Sequence, residues 1–167
     1  MLDDSKKTGL ILGLFTAFYF LLVWQMDSKL LWNPWIINFT WIPYFVLVFL
    51  GVKNYAERKP EAEFRDLVRE GFLVYFIAQI VYYVFYYLLF FQIDPGLLEL
   101  QAEIELQMLE ETRGILGDER ADEMRRSLEE GEAGVSPGSL FRQFVPSLLP
   151  GFAIAALFAL FVKKGEF

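Results

Sequence analysis

Four long apolar runs alternate with polar, charged stretches along the chain. They cover residues 9–26, 35–52, 71–91 and 144–162, and none contains Asp, Glu, Lys or Arg. A helix needs about 20 mostly apolar residues to cross roughly 30 Å of hydrocarbon, so each run predicts a membrane-spanning helix. Pro43 falls in the first half of the second run, and Pro146, Pro150 and Gly151 interrupt the start of the fourth. Prolines inside a span are tolerated where neighbouring helices satisfy the freed carbonyls. A kinked entry to the fourth span is therefore expected, with Leu140, Phe141 and Phe144 at the interface before it. Lys6 and Lys7 ahead of the first run resemble a signal peptide. No small-x-small site follows in Leu22-Val23-Trp24-Gln25-Met26, so an uncleaved first span is expected.

The stretches between the runs have patterns of their own. Residues 61–70 follow Pro60, carry Glu61 and Glu63 in a first turn, and place Phe64, Leu67, Val68 and Gly71 on one face. This predicts a short amphipathic helix at the inner surface, its charges solvated. Residues 94–132 carry one stripe of Leu97, Ile104, Met108 and Ile115, with Leu98, Leu109 and Leu116 beside it. A second helical face holds Ala121, Met124 and Leu128. Gly114 and Gly117 punctuate, and Gly131, Gly134, Pro137 and Gly138 close the segment. A helical hairpin is predicted, its stripes either packing on each other or forming a docking or dimer surface.

Composition sharpens this layout. Of 167 residues, 55% are hydrophobic and 22% charged, and the net charge is −7. Residues 93–138 hold thirteen acids against four arginines, a local charge of −9, which leaves the remainder at +2. With four crossings, both termini share a side with the loop between spans two and three. That side carries nine basic residues, among them Lys53, Arg58, Lys59, Arg65 and Arg69, against six on the other. The positive-inside rule then predicts cytoplasmic termini and an acidic hairpin on the outer face. Trp24, Trp32, Trp35 and Trp41 all fall near the outer interface, where indole rings settle.

Two kinds of candidate site lie within the spans. Tyr75, Gln79, Tyr82 and Tyr86 form a polar stripe on the third, widened by Tyr83 and Tyr87. Gln79 is unfavourable against lipid, so this face should point into the bundle. It serves either as interhelical hydrogen bonding, with Thr16 or Thr40 as partners, or as an aromatic pocket for a lipid, quinone or other apolar solute. Gly9, Gly13 and Ala17 on span one and Gly151, Ala155 and Ala159 on span four form small-residue faces. These predict close helix contacts, with each other or between copies.

The chain has no Cys and no His. Disulfides, thiolate and imidazole catalysis, His-ligated haem and the common zinc sites are excluded. No phosphate-binding Walker loop and no GxSxG elbow is present, and the acids lack calcium-loop spacing. The uncharged spans argue against an autonomous proton-coupled pump.

Several short signatures occur in order. Lys7-Thr8-Gly9 opens span one, Asn33-Pro34 precedes span two, and Gly51-Val52-Lys53-Asn54-Tyr55 leaves it. Phe64 to Gly71 leads into span three and Ile93-Asp94-Pro95 leaves it for the acidic helix. Pro137-Gly138 and a last span ending in Lys163-Lys164 complete the set. Together they resemble the bacterial membrane family named domain of unknown function 4199, over essentially the whole chain. The resemblance implies four helices and an inner-membrane location, and no known activity.

The sequence therefore predicts an all-α fold: a four-transmembrane-helix bundle with an extramembrane acidic helical hairpin between helices three and four. The expected function is a non-enzymatic accessory subunit or self-associating scaffold, without cofactor or metal. Its expected partners are membrane lipids and other membrane subunits or itself, and no nucleic acid. The alternative is a small binder or transporter of an apolar solute or lipid, acting through the tyrosine-rich face.

Overall fold

The computed structural model describes residues 4–129 and 136–165, and among these there is no strand. In order come α1 (Asp4–Met26), a 3-10 turn (Ser28–Trp32), α2 (Pro34–Phe39), α3 (Trp41–Arg58) and α4 (Phe64–Leu88). After a wider π-type turn (Leu89–Ile93) follow α5 (Gly96–Leu116), α6 (Asp118–Glu129) and α7 (Pro137–Lys163). Four stretches are long and apolar enough to cross a membrane: Asp4–Met26, Pro34–Arg58, Phe64–Ile93 and Pro137–Lys163. Large apolar side chains stand outward on them, including Ile11, Phe18, Leu149 and Phe152. Hydrocarbon, unlike water, suits such a surface.

The chain forms two compact units. One comprises residues 1–86 and 143–167, the other residues 87–142. In the first, α4 is the common partner of the other long helices. A Cβ at Gly9 would lie 2.7 Å from the Val74 carbonyl oxygen, and one at Gly13 2.6 Å from Val81 and 3.1 Å from Ala78. Both numbers rise by four along α1 and α4, so these helices run parallel. Gly51 meets Val74 and Gly71 meets Val52, descending on α4 as α3 ascends; Gly71 also meets Ala155, and Gly151 meets Tyr75. Thus α3 and α7 run antiparallel to α4. Asp4, at the start of α1, pairs with Arg58 at the end of α3 and with Lys7 at 3.7 Å.

Three boundaries differ from the sequence expectation, each for a local reason. The second span is two helices rather than one over 35–52. Asn33 caps α2 by accepting from the Trp35 N–H at 2.9 Å, Pro34 fills its first position, and the helix breaks at Thr40. Pro43 then falls in the first turn of α3, where an N–H would have no acceptor within that helix.

Residues 61–70 do not form a separate surface helix. Residues 61–63 are turn and coil, and Asp66 accepts from the Glu63 N–H at 3.3 Å as α4 begins. The stripe of Leu67, Val68 and Gly71 runs in phase into Val74, Tyr75 and Ala78, so one helix buries them all.

The last helix begins at Pro137, not near residue 144. Ser136 and Ser139 cap it reciprocally, with N–H to Oγ distances of 3.1 and 2.8 Å, and Pro137 occupies the first turn. Pro137 and Gly138 thus open a helix instead of closing the preceding one. Gly131 and Gly134 lie outside the described residues.

In the second unit α5 and α6 pack together. Gly117 separates them at φ 85°, a backbone conformation that glycine adopts without strain, and donates to the Arg113 carbonyl at 3.0 Å. Gly114 remains inside α5. Leu97, Leu109 and Ala121 are buried, while Ile115 is 89% exposed, so the predicted stripe is only partly inward.

Candidate functional site

The tyrosine face of α4 divides among its neighbours. Tyr75 is buried edge-on against Tyr44, with centroids 5.3 Å apart, and its hydroxyl donates to the Ser147 carbonyl of α7 at 2.9 Å. Tyr83 meets Phe144 of α7 edge-on at 5.2 Å. Tyr82 turns toward α1, 5.6 Å from Phe20, and lies 6.2 Å from Tyr86. Tyr87 belongs to the second unit and stacks on Phe91 at 5.3 Å.

Gln79 and Tyr82 border a cavity of about 140 Å³, which Thr16, Thr40, Trp41 and Tyr44 also line. The two threonines anticipated as Gln79 partners are therefore beside it. Both hydroxyls, however, donate within their own helices: Thr16 to the Leu12 carbonyl at 2.9 Å and Thr40 to the Ile37 carbonyl at 2.7 Å.

The two small-residue faces do not meet. Gly9 and Gly13 face α4, as does Gly151, whose Cβ would overlap the Tyr75 ring. Ala17 is half-buried further along α1, and Ala155 and Ala159 are fully buried in α7. Helix α4 separates the faces, because its own small residues Gly71 and Ala78 admit a helix on each of two sides. Gly51 and Gly71 are equally tight, but with Leu47 and Tyr55, and Leu67 and Tyr75, four residues away on their own helices they form no small-xxx-small pattern.

Glu70 was expected among the solvated charges of the inner loop. Its side chain is instead 3% exposed. Oε1 pairs with the Arg69 guanidinium at 3.2 Å, and Oε2 has no hydrogen-bond partner among the described residues. The in-phase continuation of α4 brings it inside. In the register that sets Gly9 against Val74, Ser5 comes level with Glu70, and Ser5 is also buried. A stretch long and apolar enough to cross a membrane thus contains a buried carboxylate one residue before the uncharged run 71–91.

Arg113 organises the α5–α6 pair. Its Nε and Nη2 donate to Asp118 and Asp122, both at 2.8 Å, and Nη1 lies 3.4 Å from Glu110. Arg125 reaches Glu110 at 3.3 Å. Among the described residues no group of three or more His, Cys, Asp or Glu is arranged to hold a metal ion.

A family model described as "Protein of unknown function (DUF4199)" matches residues 7–164. No curated protein and no solved structure matches the chain.

Proposed function

The chain belongs to the DUF4199 family, and we propose that it is a non-enzymatic integral membrane protein that works through contacts with other proteins. It serves as an accessory subunit of a larger bacterial inner-membrane assembly or as a self-associating scaffold. The observation that carries this reading is the use made of the tyrosine face. Its rings pack on α1, α3 and α7, one hydroxyl is committed to α7, and about 140 Å³ remains open beside Gln79. Small-molecule pockets usually run from about 300 to 1,000 Å³. Surfaces, rather than that interior, are the parts available for function.

In this reading both termini are cytoplasmic and α5–α6 forms an acidic hairpin on the outer face. The basic excess near the termini and the residue 53–69 region supports this, as do the alternating helix directions and the Asp4–Arg58 pair. Because the chain lacks cysteine, single cysteines at Glu61 and Asp122 can be labelled with an impermeant maleimide in intact cells. Labelling at position 122 alone is expected; labelling at 61 alone reverses the orientation.

The second reading is a small binder or transporter of an apolar solute or lipid, and it has one observation in its favour. The cavity brings Gln79 and Tyr82 to the same space. Gln79→Leu separates the two. A lower melting temperature with unchanged lipid content supports packing; an intact fold that loses a co-purifying apolar molecule supports binding. A wild-type chain that purifies alone and monomeric from native membranes in mild detergent counts against the contact reading.

A further inference from the structure

Helices α5 and α6 enclose an apolar groove of about 430 Å³, nearly all of whose lining is carbon and sulfur. Leu109, Leu116, Leu128, Met108 and Met124 line it, together with Glu105. The methionines are 50% and 46% exposed. Methionine is unbranched and polarizable, and it is characteristic of surfaces that adapt to an incoming apolar segment. A cavity of about 150 Å³ accepts a benzene ring, so this one has room for two or three large apolar side chains. That is what one face of a helix presents at i, i+3 or i+4, and i+7.

Charge selects among occupants. Residues 93–138, from which the groove is built, carry −9 in sequence, and Arg113 and Arg125 are engaged by acids of the same helices. A second copy would bring the same −9 to the contact, and an acidic segment would be repelled likewise. A segment that is apolar on one face and basic on its flanks gains from both features.

We propose that this groove receives the apolar face of a basic amphipathic helix from another protein. The inference rests on the reading that the chain works through contacts, and it names the surface and the chemistry of the partner.

The test uses the full chain in nanodiscs of phosphatidylcholine, whose headgroup has no net charge. The probe is a labelled synthetic peptide of leucine and lysine with leucines at helical spacing. Its counterpart replaces each lysine by glutamate. The lysine peptide is expected to bind about tenfold or more tightly than the glutamate peptide, and to weaken as salt rises. Met108→Gln with Met124→Gln should weaken it about tenfold, the loss of one interfacial hot spot. Both positions are exposed, so helicity by circular dichroism should not change. Equal binding of the two peptides overturns the proposal. So does lysine-peptide binding that survives the double substitution, which would be charge attraction outside the groove. A lipid retained in the groove of the native protein, seen by mass spectrometry and lost in the double variant, also overturns it. Extraction of both forms from native membranes separates the two levels. An assembly that persists in the double variant leaves the contact reading standing and removes the groove; a wild-type chain found alone removes the contact reading itself.

Discussion

Tyr75 of α4 donates its hydroxyl to the backbone carbonyl of Ser147 in α7 at 2.9 Å, three residues before Pro150. Pro150 has no N–H to return to the carbonyl four residues back, so the turn from Pro146 to Pro150 is where α7 is weakest in internal bonds. The freed carbonyl is that of Pro146; the Tyr75 hydroxyl bonds the next one along, Ser147, and so ties α4 to α7 at the turn the two prolines weaken. Tyr75→Phe keeps the ring contacts with Tyr44 and removes only the donor. Interhelical hydrogen bonds in membranes average about 0.6 kcal/mol and reach about 1.7. A loss of that size is expected in reversible detergent unfolding. Tyr75→Ala also removes the buried ring and should cost about 3–5 kcal/mol.

Gly151 and Gly114 should respond to alanine with opposite signs. A Cβ at Gly151 overlaps the Tyr75 ring, while one at Gly114 meets nothing within 4 Å. Gly151→Ala must displace a helix or a buried tyrosine, for which about 1–3 kcal/mol of destabilisation is expected. Gly114→Ala lies in an ordinary helical turn of α5 and should stabilise by about 0.5–1 kcal/mol, through helix propensity and reduced freedom of the unfolded chain. Melting temperatures of the two variants in one detergent decide the matter. A loss at Gly114 as large as that at Gly151 would remove the distinction.

What could be read beforehand was set by length and period. Four apolar runs of spanning length are hard to place elsewhere, and their number and order hold in the structure. The matched family likewise covers the stretch that the ordered signatures suggested. Less legible were features decided by relations between helices. The stripe through Phe64, Leu67 and Val68 could lie on a surface or continue into the core. Only its phase with Val74 and Ala78 decides, and that phase buries Glu70. The small faces of α1 and α7 could be seen, but not that α4 lies between them. Ser136 and Ser139 start α7 through a capping exchange that Pro137-Gly138 masks as a helix end. Gln79 falls on a bundle-facing stripe of the sequence, but the small cavity beside it is lined from three other helical stretches, which the sequence of α4 alone does not show.

Glu70 and Arg69 should behave as a coupled pair despite their unequal burial. Glu70 is 3% exposed and Arg69 68%, so the guanidinium stays at the surface while it compensates an interior charge. Arg69→Ala leaves that carboxylate with neither of its oxygens paired, and the fold should lose stability. Glu70→Gln removes the charge but keeps the shape, and the added effect of Arg69→Ala should then largely disappear. A double-mutant cycle from unfolding in detergent measures this. Equal effects of Arg69→Ala in both backgrounds would show that Arg69 acts independently of Glu70.

Arg113 should hold α5 and α6 together in a way that salt can screen. Its hydrogen bond to Asp118, followed by the charges of Asp122 and Glu110, raises its pKa above the ordinary arginine value. A base raised in the folded state contributes in full below its unfolded pKa, so this contribution is constant from neutral pH to about pH 10. Arg113→Gln removes the guanidinium that pairs with Glu110, Asp118 and Asp122 together, leaving the Arg125–Glu110 pair across the Gly117 break. Asp118 and Asp122 then lose their shared cation. Faster amide hydrogen exchange is expected in α6 and in the last turns of α5, with α1, α3 and the start of α4 unaffected. Because Arg113 is solvent-accessible, the difference from wild type should shrink as ionic strength rises. A difference that persists unchanged in high salt would mean that the arginine acts by packing its stem, as long basic side chains also do.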